Sequence, residues 1–127
     1  MFDSTYRKRQ KGILLNVIKV EILPETAGVL DVNKIRAELF TESGKYLAGV
    51  ESRLASEGIK VRTESLEGYR PSETISEYAQ NKDMDLIVIA THGYTGLKKL
   101  MFGSVALGIL HDSHIPILLV RPESCQI

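Results

Sequence analysis

Residue types suited to chemistry concentrate between Asp85 and Ser104, in the stretch DLIVIATHGYTGLKKLMFGS. Leu86, Ile87, Val88 and Ile89 form an unbroken apolar run, the pattern of a strand buried on both faces of a sheet. Ala90, Gly93, Gly96 and Gly103 follow, and Ser104 opens an apolar segment, Val105 to Leu110, that reads as a helix. Glycines let backbone N–H groups approach a ligand, and the unpaired N–H groups of a helix's first turn point at it. A strand, a glycine loop and a helix start in that order suit an anion such as a phosphate. The plainer reading gives the glycines to tight turns and makes Ser104 an N-cap. The spacing is not a Walker loop, because no Gly-Lys-Ser/Thr triplet is present, and it does not fit Gly-x-Gly-x-x-Gly.

ATHG, nine residues and then GS, with HGYTGL inside and Pro116-Ile117-Leu118-Leu119-Val120-Arg121 afterwards, resembles the universal stress protein family. The likeness runs from about residue 12 to 122 and is most specific over its last third. ATP-binding members of that family carry Gly-x-x-Gly, nine residues, then Gly-Ser/Thr. Here Ala90 stands for the first glycine, while Gly93, Gly103 and Ser104 match. The resemblance implies an ATP site in which Val17 lines the adenine pocket. Ala90, Gly93, Gly103, Ser104 and Val105 would hold ribose and phosphates, with the Ala90 methyl crowding the ribose and weakening ATP. It further implies a nucleotide-responsive stress module that binds rather than turns over. The alternatives are a dimeric protein-interaction module without nucleotide, and a slow ATPase or phosphotransferase.

Other polar residues point less clearly. His92 suits backbone bracing as well as chemistry, and Lys98 and Lys99 suit a solvated loop face as well as a phosphate. His111 and His114 flank a turn without the third ligand a metal site needs. No nucleophile, base and orienting group stand in a pattern that marks an enzyme.

The elements that must position this stretch belong to a chain of 127 residues, long enough to bury a core without staples. With 43% apolar and 25% charged residues and no net charge, no broad field favours nucleic acid or a membrane surface. The lone Cys125 cannot form an internal disulfide, and no apolar run reaches the ~18 residues of a membrane span. Cytoplasm is the expected location. Residues 1–12 form a basic arm. Arg7, Lys8, Arg9 and Lys11 against Asp3 give it +3, leaving 12 of the 16 basic and 15 of the 16 acidic residues, a charge of −3, elsewhere. Such an arm suits RNA, anionic lipid or phosphate, or a solvated, frayed terminus.

Ile13–Val20 has the β-branched character of a strand, and Leu23–Val29 is a loop. Asp31 reads as the N-cap of a helix to about Glu57, with Val32, Ile35, Leu39, Leu47, Val50 and Leu54 as its buried stripe and Gly58 as its stop. Ile59–Leu66 alternates as a more exposed strand, with Ile59, Val61 and Thr63 on one face. Pro71 starts a second helix that turns Ile75, Tyr78 and Ala79 inward and ends near Asn81. His111–His114 is a turn, and Ile115–Val120 is the last strand, edge-like because of Pro116.

Alternating strands and helices imply an α/β fold, an open and mostly parallel sheet with helices on both faces. The family resemblance assigns residues 13–122 to an adenine nucleotide alpha hydrolase-like domain, followed by a tail at 123–127. Four strands are recognisable, and the family's first strand and first helix have no counterpart. Strands lie ~4.8 Å apart, so one omitted central strand leaves a gap of roughly 10 Å. The expectation is that a first β–α unit of roughly 35–40 residues is missing. The Leu86–Ile89 strand would then pair with Ile13–Val20 or with another chain, unless residues 1–12 themselves supply the strand. The resemblance also implies a homodimer through Ile115–Val120, and a protein partner that the sequence leaves unknown.

Overall fold

The computed structural model describes residues 11–21, 24, 28, 31–90 and 103–121. Strands and helices alternate through them: β1 (Gly12–Ile18), α1 (Val32–Ser56), β2 (Val61–Glu67), α2 (Pro71–Asn81), β3 (Ile87–Ala90), α3 (Ser104–Asp112) and β4 (Ile117–Val120). The basic arm, apart from Lys11 and Gly12, lies outside the described residues, and so does the idea that it forms a strand. The chain divides into two compact units, Met1–Gly68 and Tyr69–Ile127.

In the first unit β1 and β2 run parallel, in register from Gly12 opposite Val61 to Ile18 opposite Glu67. The crossover is α1. Asp31 caps it as the sequence predicts, its carboxylate accepting the Lys34 N–H at 3.2 Å. The helix stops where Gly58 takes φ +82°, a left-handed conformation that costs glycine nothing. There the Gly58 N–H bonds Ala55 O and the Ile59 N–H bonds Leu54 O, the paired closure of a Schellman motif. This explains a correction at β2. Ile59 was expected inside the strand, but its N–H is spent on the helix end, it is exposed, and pairing starts at Val61.

The second unit packs α2 and α3 against one face of the β3–β4 sheet, which is also parallel. Pro71 opens α2, as its fixed φ and missing N–H allow. The end of α2 repeats the closure of α1 with a different residue. Asp83 sits at φ +52°, its N–H bonding Gln80 O, and the Met84 N–H bonds Ala79 O. Ala79, Ile87 and Ile109 form the buried centre, with Ile75, Met84, Ile89, Val105, Ile115 and Ile117 packed around it. The helices come close at Gly108, where a Cβ would lie 2.5 Å from the Ser72 Cβ and Oγ.

Two expectations for the third strand are overturned. The apolar run was read as buried on both faces, yet Leu86 and Val88 are 49% and 59% exposed. Ile87 and Ile89 meet the helices, and among the described residues of this unit no element covers the apolar side chains of the other face. Nor does the strand pair directly with the first one: β3 hydrogen-bonds β4, and β1 hydrogen-bonds β2, in two sheets. One edge of each described strand is taken up by the partner its own crossover helix delivers.

Candidate functional site

The strand–loop–helix stretch survives in the second unit as β3 ending at Ala90 and α3 starting at Ser104. Gly93, with His92, Lys98 and Lys99, lies outside the described residues. Ala90 is exposed at the carboxyl end of β3, where ligands of parallel sheets bind.

Gly103, not Ser104, is the N-cap of α3. Its φ of −61° and ψ of 155° are ordinary extended backbone, so what glycine offers here is the missing side chain. Ser104 is the first helical residue, and among the described residues no side chain caps this helix start. The N-cap reading of Ser104 is therefore set aside: its hydroxyl is exposed and free of the capping bond. The first bond inside the helix runs from the Leu107 N–H to Gly103 O at 3.0 Å. The N–H groups of Ser104, Val105 and Ala106 precede it and have no partner within the helix.

The other helix starts are furnished differently. α1 has the Asp31 carboxylate, and α2 has Pro71, which lacks an N–H, and Glu73 in its first turn. α3 has neither a capping side chain nor an acidic residue in its first turn. Its positive dipole end thus meets no acidic side chain of its own first turn. Val105 is half-buried and packs into the core, so only its backbone is available to a ligand.

Val17 belongs to the first unit. Asn16, Ser65 and Glu67 bond side chains of α1, so strand alternation turns Val17, with Ile13 and Leu15, to the sheet face away from that helix. Two residues in this unit escaped the sequence reading. Asn16 donates from Nδ2 to the Ser43 Oγ at 2.8 Å, and Ser43 shares a 2.6 Å hydrogen bond with Ser65. Both stand out once the pattern is read for its gaps. Asn16 interrupts the apolar run of β1, and Ser43 fills the step between Leu39 and Leu47 on the buried stripe of α1.

His111 is exposed, its Nδ1 lying 2.9 Å from the Asp112 carboxylate. Among the described residues no three His, Cys, Asp or Glu side chains gather as metal ligands. No described helix is long and apolar enough to cross a membrane.

Comparison with known proteins places these features in a family. The Universal stress protein family matches residues 7–121. Universal stress protein MJ0531 of Methanocaldococcus jannaschii is 41% identical over 86 residues, 67% of this chain and 50% of that protein, so the chain spans about half its length. Universal stress protein MJ0577 of the same organism is 29% identical over 131 residues, covering 92% of this chain and 80% of the relative. The solved structure of MJ0577 superposes with a TM-score of 0.74 over 90% of this chain and 77% of its own. Universal stress protein UspA from Lactobacillus plantarum, 19% identical, shares the fold at a TM-score of 0.69 over 86% of this chain and 76% of its own. With the ATHG–GS stretch, the parallel strands and all but the chain's two ends inside the match, this protein belongs to the universal stress protein family.

Proposed function

We propose that the chain is a binding module responsive to adenine nucleotide, acting in the cytoplasm by association rather than turnover. The carrying observation is the bare start of α3 directly after the ATHG–nine–GS spacing. A helix N-terminus with free N–H groups and no competing carboxylate favours a phosphate through both hydrogen bonding and its dipole. Ala90 at the end of β3 supplies the methyl that limits affinity. The proposed contacts within the second unit are Ala90, Gly93, Gly103, Ser104 and Val105 at ribose and phosphates.

Calorimetric titration of the chain with ATP tests this reading. The expected dissociation constant is micromolar or weaker, about −8 kcal/mol or less favourable. Gly103→Asp, which sets a carboxylate at the helix start, should abolish the heat. An unchanged affinity in that variant, or no binding by the parent chain, would sink the nucleotide reading.

A protein-interaction role without nucleotide has its own support in the exposed apolar face formed by Leu86, Val88, Leu118 and Val120. We propose a symmetric dimer through the last strand in either case, since β4 bonds a neighbour on one side only among the described strands.

A further inference from the structure

We infer that the Asn16–Ser43–Ser65 hydrogen-bond chain is a face-selecting lock that decides which side of β1 meets α1. The need for one follows from the strand itself. Ile13, Leu14, Leu15, Val17 and Ile18 make β1 apolar on both faces. A strand has a side-chain period of two, so a slip of one residue exchanges its faces, and hydrophobicity resists the slip only where one face is polar. In β1 that resistance is absent. A slipped strand would offer α1 Ile13, Leu15 and Val17 in place of Leu14, Asn16 and Ile18, at nearly the same apolar content.

The polar residues break the tie. Asn16 is the one polar side chain between Ile13 and Ile18, and Ser43 is the polar residue in the middle of the α1 stripe, 5% exposed. They meet at 2.8 Å, and Ser43 passes the connection to Ser65, the β2 residue in register with Asn16. Slippage would separate Asn16 from Ser43, leaving Ser43 with Ser65 alone and taking from the part-buried Asn16 amide the acceptor it now has. One hydrogen-bonded chain thus ties helix, strand and neighbouring strand to a single alignment. A polar residue that specifies register at some expense of stability is the best attested use of buried polar groups.

The test replaces the lock by apolar groups of similar size and reads alignment directly. In the chain carrying Asn16→Val and Ser43→Ala, burial is kept while the hydrogen bonds are gone. The expected result is a folded protein with a second set of β1 amide resonances, at roughly a tenth of the total intensity or more. Cross-strand NOEs between Val17 and Leu66, partners in the parent register, should weaken accordingly. Should the double variant not fold, Asn16→Val alone, which keeps the Ser43–Ser65 bond, is read the same way. A single resonance set with the parent NOEs in a folded variant overturns the inference. Failure of both variants to fold overturns it too, because the chain of bonds would then supply stability and not selection.

Discussion

Ser76 carries a hydroxyl that is shut off from solvent and has no hydrogen-bond partner among the described residues. Burying such a group unpaired costs roughly 1–3 kcal/mol. Ser76→Ala should therefore raise stability, by up to about 1 kcal/mol after the small void left by the oxygen is counted. Urea denaturation would show the midpoint moving up, and a lower midpoint would mean the hydroxyl is bonded after all. Gly58 and Asp83 make a second residue-scale comparison, since both occupy left-handed positions in the same helix-ending closure. A side chain there costs roughly 1–2 kcal/mol, less for Asp and Asn than for others. Gly58→Ala should lose about that much, and Asp83→Gly should change little or gain a few tenths. Thermal melts of the two variants should move in opposite directions or differ clearly in size. At this scale the sequence was legible where a residue type has one dominant use. Asp31, Gly58 and Pro71 stood where a cap, a stop and a first helical residue were expected. Asn16 and Ser43 were missed because each is unremarkable alone, and their meaning lies in an alignment 27 positions apart in sequence. Of the proposed nucleotide residues, Gly103, Ser104 and Val105 sit together at one helix start, and sequence alone gave Ser104 the capping place that Gly103 holds.

Among the elements, α2 and α3 are joined through their smallest side chains. A Cβ on Gly108 would meet both the Cβ and the Oγ of Ser72, and the former cannot swing away. Gly108→Ala must push the helices apart, and overpacking of this kind typically costs 1–3 kcal/mol, well beyond the ~1 kcal/mol that alanine gains in helix propensity. A variant as stable as the parent would show that the two helices separate without penalty. Element types and order were readable because helical and strand periods differ, and because glycine and proline punctuate them. The exposure of Leu86 and Val88 was not. A short apolar run looks the same whether one or both of its faces are covered, and cover is supplied by segments far away in sequence. Of the two pairings expected for β3, the one with Ile13–Val20 was not legible either, since ladder partners within a chain depend on which crossover brings a strand alongside.

For the whole molecule, the proposed dimer gives the largest effect to be measured. Leu118 is half exposed on β4, which like each described strand bonds a neighbour on one side only. Leu118→Lys should halve the mass seen by light scattering at micromolar concentration, because a lysine desolvated in an apolar contact costs more than the contact returns. A dimer that persists would place the contact elsewhere.

The uncovered face of the β3–β4 sheet also bears on the protein as a colloid. Leu86, Val88, Leu118 and Val120 line neighbouring strands, each 43–59% exposed. The chain carries 16 basic and 16 acidic residues, so near neutral pH no long-range repulsion keeps such faces apart. Raised salt gives no relief, since it screens charge and leaves the attraction between apolar surfaces in place. Concentrated solutions should accordingly cloud most readily close to pH 7 and clear as pH moves to either side within the folded range.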